Sequence, residues 1–406
     1  MMDRKRKSTV SDSSRGLTDM FSDIVCMAAF MLAAASPAGA IAAETGKCGE
    51  VLWSTAITGE GVRYCGWPTL CRRASGELIV AFSGDRDRHV CPWGKVQLVR
   101  SADGGRTWTK PETVVNDPLD DRDGGIMELS NGDLVLTYFT SVAFSSNDEY
   151  GRHFGKIEHR DFEEYFGNFT RRSTDGGKTW ENPVRTVGSA PHGGIQLRDG
   201  RLLMVGRAST LPSVLAGIVA PRPEVFRNAL VCEISTDMGR SWNVVSTLPV
   251  PEGVAVDSLY EPYALELSDG RIIVHVRQEA NSRNTMQCES SDGGLTWSRL
   301  AETPLNTIGH PSHLLELPDG RVLCTFGRRG GDAGVFAATS RDGGRTWDMD
   351  GALLLARSTQ WDFGYPTSAL MPDGSLVTVY YCRLANDKPF AVLKAVGWRL
   401  AKIAKY

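Results

Sequence analysis

The amino-acid sequence predicts an all-β protein folded as a six-bladed β-propeller. Three observations indicate this fold: an octapeptide that occurs five times, a hairpin pattern that occurs six times, and apolar segments that are short and separated by turns. Each repeat unit of roughly 50 to 70 residues would hold about four short strands, which is the content of one propeller blade. Helical repeats are excluded because the apolar runs are too short and too rich in β-forming residues.

Composition narrows the class of protein before any motif is considered. The 406 residues are 41% hydrophobic and 23% charged, which excludes a disordered chain, a collagen-like chain and a polytopic membrane protein. The formal net charge of −3 provides no basic surface for DNA or RNA, so we expect no nucleic-acid partner. The 43 glycines fit a protein with many tight turns.

The first 43 residues have the pattern of a signal peptide. The basic segment Arg4–Lys7 precedes the apolar run Ile24–Ala35, and Ala38-Gly39-Ala40 is an acceptable cleavage sequence. The apolar run is short for a membrane span, so we predict a cleaved leader, a secreted or periplasmic protein and no stable membrane insertion; an uncleaved anchor is the alternative. Residues 44–406 are then a single propeller domain.

The octapeptide reads Ser-x-Asp-x-Gly-x-(Thr/Ser)-Trp. Its aspartate can accept backbone hydrogen bonds within its own turn, its glycines can take positive φ, and its tryptophan can pack the hairpin onto the sheet. We therefore predict that these aspartates are structural and not catalytic. The five copies are Ser101–Trp108, Ser173–Trp180, Ser235–Trp242, Ser290–Trp297 and Ser340–Trp347.

The second repeat is a hairpin in which a turn glycine separates two apolar runs, as in Leu267-Ser-Asp-Gly-Arg-Ile-Ile273. Asp-Gly between apolar runs is a strong hairpin signal. The C-terminal segment Val396–Ile403 can pair with Val51–Ser54, which would close the ring and remove its open edges. The six turn glycines are Gly76, Gly132, Gly200, Gly270, Gly320 and Gly374.

Eight cysteines lie beyond the predicted leader, and none belongs to a CxxC pair. We therefore expect no zinc site, and no cofactor-binding pattern is present. An even number of cysteines in an exported protein permits disulfides, whereas several of these cysteines lie in or near apolar runs that would bury a free thiol. The sequence leaves both states open.

Five octapeptides on a six-bladed pattern resemble the Asp boxes, or BNR repeats, of the sialidase (neuraminidase) superfamily. The resemblance covers roughly residues 50 to 400. It implies cleavage of a terminal sialic acid with retention of configuration. In the family a tyrosine nucleophile is assisted by a glutamate, an aspartate is the acid/base, and three arginines bind the carboxylate of the sugar.

Three residues match the family's active-site segments at the expected offsets. Glu261 begins a segment that matches the family's catalytic glutamate, and Arg277 ends the strand after the next turn. Tyr365 lies nine residues before its turn glycine, as the family's nucleophile does. A tyrosine needs an adjacent base to act as a nucleophile near neutral pH. Arg329 or Arg328 stands where the family has another carboxylate-binding arginine, and we favour Arg329.

The first blade departs from the family. Gly66-Trp67-Pro68 stands where the family has an arginine followed by Ile-Pro, so the first carboxylate-binding arginine is missing. Arg86 agrees with the next arginine position. For the acid/base the resemblance offers Asp87 or His89, although strict counting falls on Cys91, and we take Asp87. The alternative is that Asp87 has no catalytic role and forms a solvent-exposed ion pair with a neighbouring arginine.

Further candidates for sugar contacts precede the innermost strands of other blades, where side chains can converge on the central channel. Tryptophans could also stack on a sugar or pack within the propeller. The polar candidates are Asp121, Arg122, Asp123, His192 and His310, and the tryptophans are Trp67, Trp93 and Trp361.

The resemblance implies a secreted, exo-acting, retaining glycosidase of the sialidase type. Glu261 would activate Tyr365, Asp87 would protonate the leaving oxygen, and Arg277 with Arg329 would hold the anionic group. The expected partner is a glycan with a terminal acidic sugar, and we expect a monomer. The alternatives are a propeller that binds glycans without cleaving them, and a glycosidase or lyase that acts on another sugar such as a uronate.

Overall fold

A computed structural model describes residues 45–46, 49–59, 63–208, 211–219, 228–384 and 390–401. The predicted leader, residues 1–43, lies outside the described residues. The prediction of an all-β, six-bladed propeller is confirmed: six antiparallel sheets form the domain, five with four strands and one with five. In blades 1 to 5 the first strand along the chain is the innermost, and in blade 6 the innermost strand is Phe363–Leu370. The innermost strands contact those of neighbouring blades.

The blades follow one another along the chain. Their strands are Tyr64–Arg72, Leu78–Arg86, Lys95–Ser101 and Glu112–Val115 in blade 1; Asp120–Glu128, Leu134–Ser141, Asn168–Ser173 and Val184–Thr186 in blade 2; Ile195–Gln196, Leu202–Ala208, Ala229–Ser235 and Asn243–Thr247 in blade 3; Leu259–Glu266, Ile272–Gln278, Met286–Ser290 and Ala301–Glu302 in blade 4; Ser312–Glu316, Val322–Arg328, Gly334–Ser340 and Leu353–Arg357 in blade 5; and Phe363–Leu370, Leu376–Arg383, Ala391–Leu400, Gly49–Ala56 and Thr45–Gly46 in blade 6.

The N-terminal strand closes the ring by completing blade 6. Gly49–Ala56 pairs with Ala391–Leu400, and the partners include Val51 with Trp398 and Ser54 with Val396. The predicted pairing of the two chain ends is therefore confirmed. A sheet edge that would otherwise expose unpaired backbone groups is covered.

The core is distributed between the sheets. Each pair of neighbouring blades shares its own cluster of buried apolar side chains, for example Leu136 with Ile79 between blades 1 and 2, and Phe326 with Ile273 between blades 4 and 5. Sheets that pack face to face bury side chains from both inner faces in this way. The position of each blade therefore depends on its two neighbours.

Every octapeptide forms the same turn. In the first copy Asp103 Oδ1 accepts hydrogen bonds from the backbone N–H groups of Arg106 at 3.0 Å and Thr107 at 2.9 Å, as predicted. The Thr107 hydroxyl hydrogen bond is the main cause that lowers the pKa of Asp103 to about 2. Gly105 has a φ of 88°, and its N–H donates to Ser101 Oγ at 2.8 Å, so glycine is favoured there.

Short helices lie mainly in one insertion. The α-helices Gly151–Phe154 and His159–Tyr165 and the 3-10 helix Ala143–Ser146 fall between the second and third strands of blade 2. Two further 3-10 helices span Ser213–Leu215 and Val256–Ser258. Within the described residues, none of the helices is long and apolar enough to cross a membrane.

The seven cysteines within the described residues are free thiols, and six of them are buried. Cys48 lies outside the described residues. Burial raises the pKa of Cys65 and Cys71 to about 12, so these two thiols stay protonated near neutral pH.

The packing that closes the ring predicts that Trp398 contributes strongly to the free energy of unfolding. This side chain is fully buried, and its Nε1–H donates to Thr378 Oγ1 at 2.8 Å. Trp398→Ala should lower the free energy of unfolding by roughly 3 to 5 kcal/mol in urea denaturation, because it leaves a cavity beside the closing strand. Leu52→Ala is the control: Leu52 lies in the closing strand Gly49–Ala56 but is 42% exposed, and its truncation should cost about 0.5 kcal/mol or less. Equal losses would contradict this role for Trp398.

Candidate active site

A β-bulge recurs in the innermost strands of blades 1, 2, 4 and 6. In each strand two consecutive residues face a single residue of the second strand, and the first of the two has a positive φ. Bulges of this kind redirect side chains and are common next to active sites. The four left-handed residues are Trp67 at 56°, Asp123 at 51°, Glu261 at 52° and Tyr365 at 50°.

All four bulge residues face one cavity of about 660 Å³. Each lies nine residues before the turn glycine of its own hairpin, so the blade repeat places them at equivalent positions. The offset that identified Tyr365 in the sequence also holds for Trp67, Asp123 and Glu261. The cavity is lined by Trp67, His89, Arg122, Asp123, Phe139, Tyr260, Glu261, Arg277, Glu279, Arg329, Trp361, Tyr365 and Tyr381.

Tyr365, Glu261 and Arg277 are hydrogen-bonded to one another in this cavity. The Tyr365 hydroxyl donates to Glu261 Oε1. Arg277 Nη1 donates to Glu261 Oε2 at 2.6 Å and to the Tyr365 hydroxyl oxygen at 2.9 Å. Residues from blades 4 and 6, separated by 104 positions in the chain, are thus brought into direct contact.

Burial and charge together keep Tyr365 protonated in the resting site. Burial is the main cause that raises the pKa of Tyr365 well above its usual value, and the Glu261 carboxylate raises it further, whereas Arg277 acts in the opposite direction. Burial acts to lower the pKa of Arg277, but the charges of Glu261 and other neighbours raise it overall, so Arg277 remains a cation. The acceptor of the Tyr365 proton among the described residues is therefore Glu261.

The two consecutive arginines of blade 5 point to different places. Arg329 lines the cavity, where its Nε and Nη1 reach the backbone carbonyl oxygens of Trp361 and Gly309, each at 3.3 Å. Arg328 instead pairs with Asp332 and lies over the Phe336 ring at 4.0 Å, and it does not line the cavity. The structure thus brings Arg329, and not Arg328, to Tyr365, Glu261 and Arg277.

Arg86 lies behind Trp67 and does not line the cavity. Its guanidinium is fully buried and makes two hydrogen bonds to Asp120, at 2.5 and 3.0 Å. Trp67 packs against the guanidinium of Arg86 at 5.2 Å and against that of Arg122 at 4.4 Å, measured to its ring centroid. Arg86 thus supports Trp67 from below, and of these two arginines it is Arg122 that reaches the cavity.

The bulge in the innermost strand of blade 2 separates the predicted charged cluster, because Asp121 and Asp123 are two residues apart and would share a face in a regular strand. Asp123 enters the cavity, whereas Asp121 turns away and accepts a hydrogen bond from the backbone N–H of Asp117 at 2.8 Å. Asp123 is buried, and its Oδ1 has no hydrogen-bond partner among the described residues. Burial is the main cause that raises the pKa of Asp123 to about 7, and the charge of Glu261 adds to it, against Arg122.

The two candidate acid/base residues, Asp87 and His89, lie in different places. Asp87 is outside the cavity, where it pairs with Arg63 and accepts a hydrogen bond from the indole N–H of Trp93. His89 lines the cavity, and its Nδ1 is 3.2 Å from Asp362 Oδ1. Asp362 was missed in the sequence because it follows no motif; it lies one residue before the innermost strand of blade 6.

The two predicted histidines lie deeper in the molecule. His192 packs against the Tyr365 ring at 6.1 Å but lines a separate cavity of about 510 Å³ with Tyr263 and His313. Burial lowers the pKa of His192 to about 3. His310 is fully buried against Phe363, and neither ring nitrogen has a hydrogen-bond partner within the described residues. Neither histidine lines the cavity that holds Tyr365.

A groove of about 740 Å³ continues the cavity outward and shares Asp123, Phe139, Tyr260 and Glu261 with it. The groove runs between the insertion of blade 2, through residues such as Val142, and the segment Leu211–Val214 of blade 3. In the part of the chain that the structure describes, no group of three His, Cys, Asp or Glu side chains is placed to hold a metal ion.

Residues 125–378 match the family described as BNR repeat-like domain. The chain is 28% identical over 300 residues to a sialidase of Micromonospora viridifaciens, which covers 67% of this chain and 42% of the sialidase. The chain spans less than half the length of the curated relatives it matches.

Solved structures share the fold. A protein of unknown function from Dyadobacter fermentans has a TM-score of 0.70 and 22% identity, over 86% of this chain and 99% of the other. The NanB sialidase of Streptococcus pneumoniae has a TM-score of 0.60 and 14% identity, over 86% of this chain and 70% of the sialidase.

The raised pKa of Asp123 predicts a dependence of stability on pH. Because the folded-state pKa of about 7 lies above the value near 3.9 in the unfolded chain, this group's contribution is fully present below pH 4 and is lost as the pH rises through 7. Asp123→Asn removes the titration. Urea denaturation should show the variant gaining stability relative to the wild type between pH 4 and 8, by roughly a few kcal/mol. A difference that stays constant with pH would contradict the assignment.

Proposed function

The chain belongs to the family of BNR repeat-like domains, and from this membership and the geometry of the cavity we propose that it is a glycoside hydrolase of the sialidase type. It would remove a terminal acidic sugar with retention of configuration at the anomeric carbon. One observation carries the proposal: the Tyr365 hydroxyl donates to Glu261 in a cavity that also contains Arg277 and Arg329. We keep the prediction of a secreted or periplasmic protein as part of the proposal.

Tyr365 acts as the nucleophile in this proposal, with Glu261 as its base. The tyrosine oxygen attacks the anomeric carbon while its proton passes to Glu261, and a covalent glycosyl-tyrosine forms. A neutral nucleophile suits an anionic substrate, and tyrosine is a recognised exception to the use of two carboxylates in glycosidases. Arg277 donates to the tyrosine oxygen and so stabilises the negative charge that develops there.

Arg329 has more capacity left for a substrate anion than Arg277 has. Arg277 already binds Glu261 and Glu279, whereas the hydrogen bonds of Arg329 are long contacts to backbone carbonyls. A guanidinium can hold a carboxylate through two parallel hydrogen bonds, which is why arginine suits this role better than lysine. Trp67 supplies an aromatic face where the family has an arginine, so the acidic sugar need not be sialic acid.

The cavity and the adjoining groove suit an acidic sugar and its substituents. The cavity of about 660 Å³ has room for one terminal sugar beside Tyr365. The groove of about 740 Å³ opens from Glu261 and Asp123 and would take a substituent of that sugar. Its lining includes Phe139, Val142 and Tyr260, so an apolar part of the substituent would bury area there.

A panel of aryl glycosides, including sialosides and uronides, tests the proposal. Tyr365→Phe should reduce kcat by roughly 10³-fold or more on the substrate that the wild type hydrolyses, because the nucleophile is lost. Tyr263→Phe is the control, since Tyr263 lies in the neighbouring cavity with His192 and should leave kcat unchanged. Binding of every sugar without turnover would instead support a glycan-binding propeller, and an unsaturated product would support a lyase.

The contrast between consecutive arginines gives a second test. Arg329→Ala should raise the KM for an acidic glycoside by roughly 10- to 100-fold, because it removes charge-assisted hydrogen bonds to the carboxylate. Arg328→Ala should change the KM by less than about twofold, since Arg328 binds Asp332 outside the cavity. Similar values of KM for the two variants in initial-rate kinetics would rule out Arg329 as the anion site.

A further inference from the structure

His89 pairs with Asp362, and it lines the cavity but not the adjoining groove that Glu261 and Asp123 share. His89 Nδ1 is 3.2 Å from Asp362 Oδ1 and 3.2 Å from the Tyr64 hydroxyl. Asp362 is 2% exposed and also accepts hydrogen bonds from the hydroxyl groups of Tyr64 and Tyr381, each at 2.9 Å. A carboxylate fixed by three donors holds the imidazole ring in one orientation and leaves Nε2 as the nitrogen available to a ligand.

His89 also has access to the bound substrate. Its side chain is 38% exposed and lines the cavity, and no hydrogen bond to Nε2 occurs among the described residues. His89 packs edge-on against Trp67 at 4.9 Å, and Tyr365 packs against the same indole at 6.5 Å, both measured between ring centroids. One sugar lying beside Trp67 can therefore be reached by both rings.

The other acidic groups of the cavity are less suited to meet the leaving oxygen. Glu261 is the hydrogen-bond partner of Tyr365, and Glu279 is paired with Arg277 and Arg283. Asp123 lines both the cavity and the adjoining groove together with Glu261, so it stands beside the base that serves the nucleophile. The two groups that act on a glycosidic bond must stand on either side of it.

We propose that His89 is the acid/base residue of the reaction and that Asp362 is its positioning residue; this inference rests on the proposed glycosidase function. In the first step the proton on His89 Nε2 passes to the glycosidic oxygen as the bond from that oxygen to the anomeric carbon breaks, and the bonding electrons go to the oxygen. The Tyr365 oxygen bonds to the anomeric carbon, and its proton goes to Glu261.

In the second step a water molecule gives a proton to His89 Nε2, and its oxygen bonds to the anomeric carbon. The bond to Tyr365 breaks, and Tyr365 recovers its proton from Glu261. Both residues return to their starting states, and the water has been added across the glycosidic bond. Asp362 stays ionised throughout: burial acts to raise its pKa, but hydrogen bonds from His89, Tyr381 and Tyr64 lower it overall.

Two substrates with the same sugar and different leaving groups test the proposal. A dinitrophenyl leaving group needs no proton, whereas an alkyl leaving group does. His89→Ala should lower kcat/KM on the alkyl glycoside by roughly 10² to 10⁴-fold and on the dinitrophenyl glycoside by less than about tenfold. Azide should restore kcat on the dinitrophenyl glycoside, because an anionic nucleophile needs no base. His153→Ala, a histidine outside this cavity, should behave as the wild type on both substrates.

Equal losses on the two substrates, or no loss on the alkyl glycoside, would overturn the role of His89 while the proposed function stands. A wild type that hydrolyses neither substrate would overturn both.

Asp362→Asn tests the positioning role. In this variant kcat/KM on the alkyl glycoside should fall about tenfold or more, and kcat/KM on the dinitrophenyl glycoside should fall much less, because only the alkyl leaving group needs a proton from a correctly oriented His89. Equal losses on the two substrates would contradict this role of Asp362.

Discussion

The site depends on one backbone constraint, the bulge that gives Trp67, Asp123, Glu261 and Tyr365 a left-handed conformation. Such a conformation costs a residue with a side chain on the order of 1 kcal/mol or more, and it persists only where the surroundings enforce it. Here the enforcing structure is the ring, because each innermost strand packs against its neighbours and the N-terminal strand closes the last blade. The six blades therefore hold four side chains in a conformation that a single hairpin would not maintain.

Two sets of paired charges hold the residues in and behind the cavity. The buried ion pair of Arg86 with Asp120 holds Trp67 from behind, and Arg277 holds Glu261 and Tyr365 together. Buried charges are tolerated when they are paired and hydrogen-bonded, and groups fixed in advance need little reorganisation when charge develops. Arg329 and His89 differ from these pairs, since each presents donor atoms to the cavity, and this difference is the physical basis for giving them contacts with substrate.

Sequence repeats were sufficient to predict the fold, and the resemblance to the sialidase superfamily is confirmed by the family match and the shared propeller. Glu261, Arg277 and Tyr365 converge because the blade repeat fixes their offsets. Residues in the connection after Arg86 have no such register, so Asp87 and His89 could not be distinguished by counting. The pairing of Asp362 with His89 joins residues 273 positions apart in the chain, and no local pattern encodes it.

The central claim is that Tyr365 forms a covalent bond to the sugar. A glycosyl fluoride carrying a second fluorine next to the anomeric carbon forms the intermediate and loses it slowly, so the adduct can be measured by intact mass and peptide mapping. The account predicts one sugar added per chain, located on Tyr365, and no addition in Tyr365→Phe. Turnover of the reagent without an adduct, or an adduct on another residue, would contradict it.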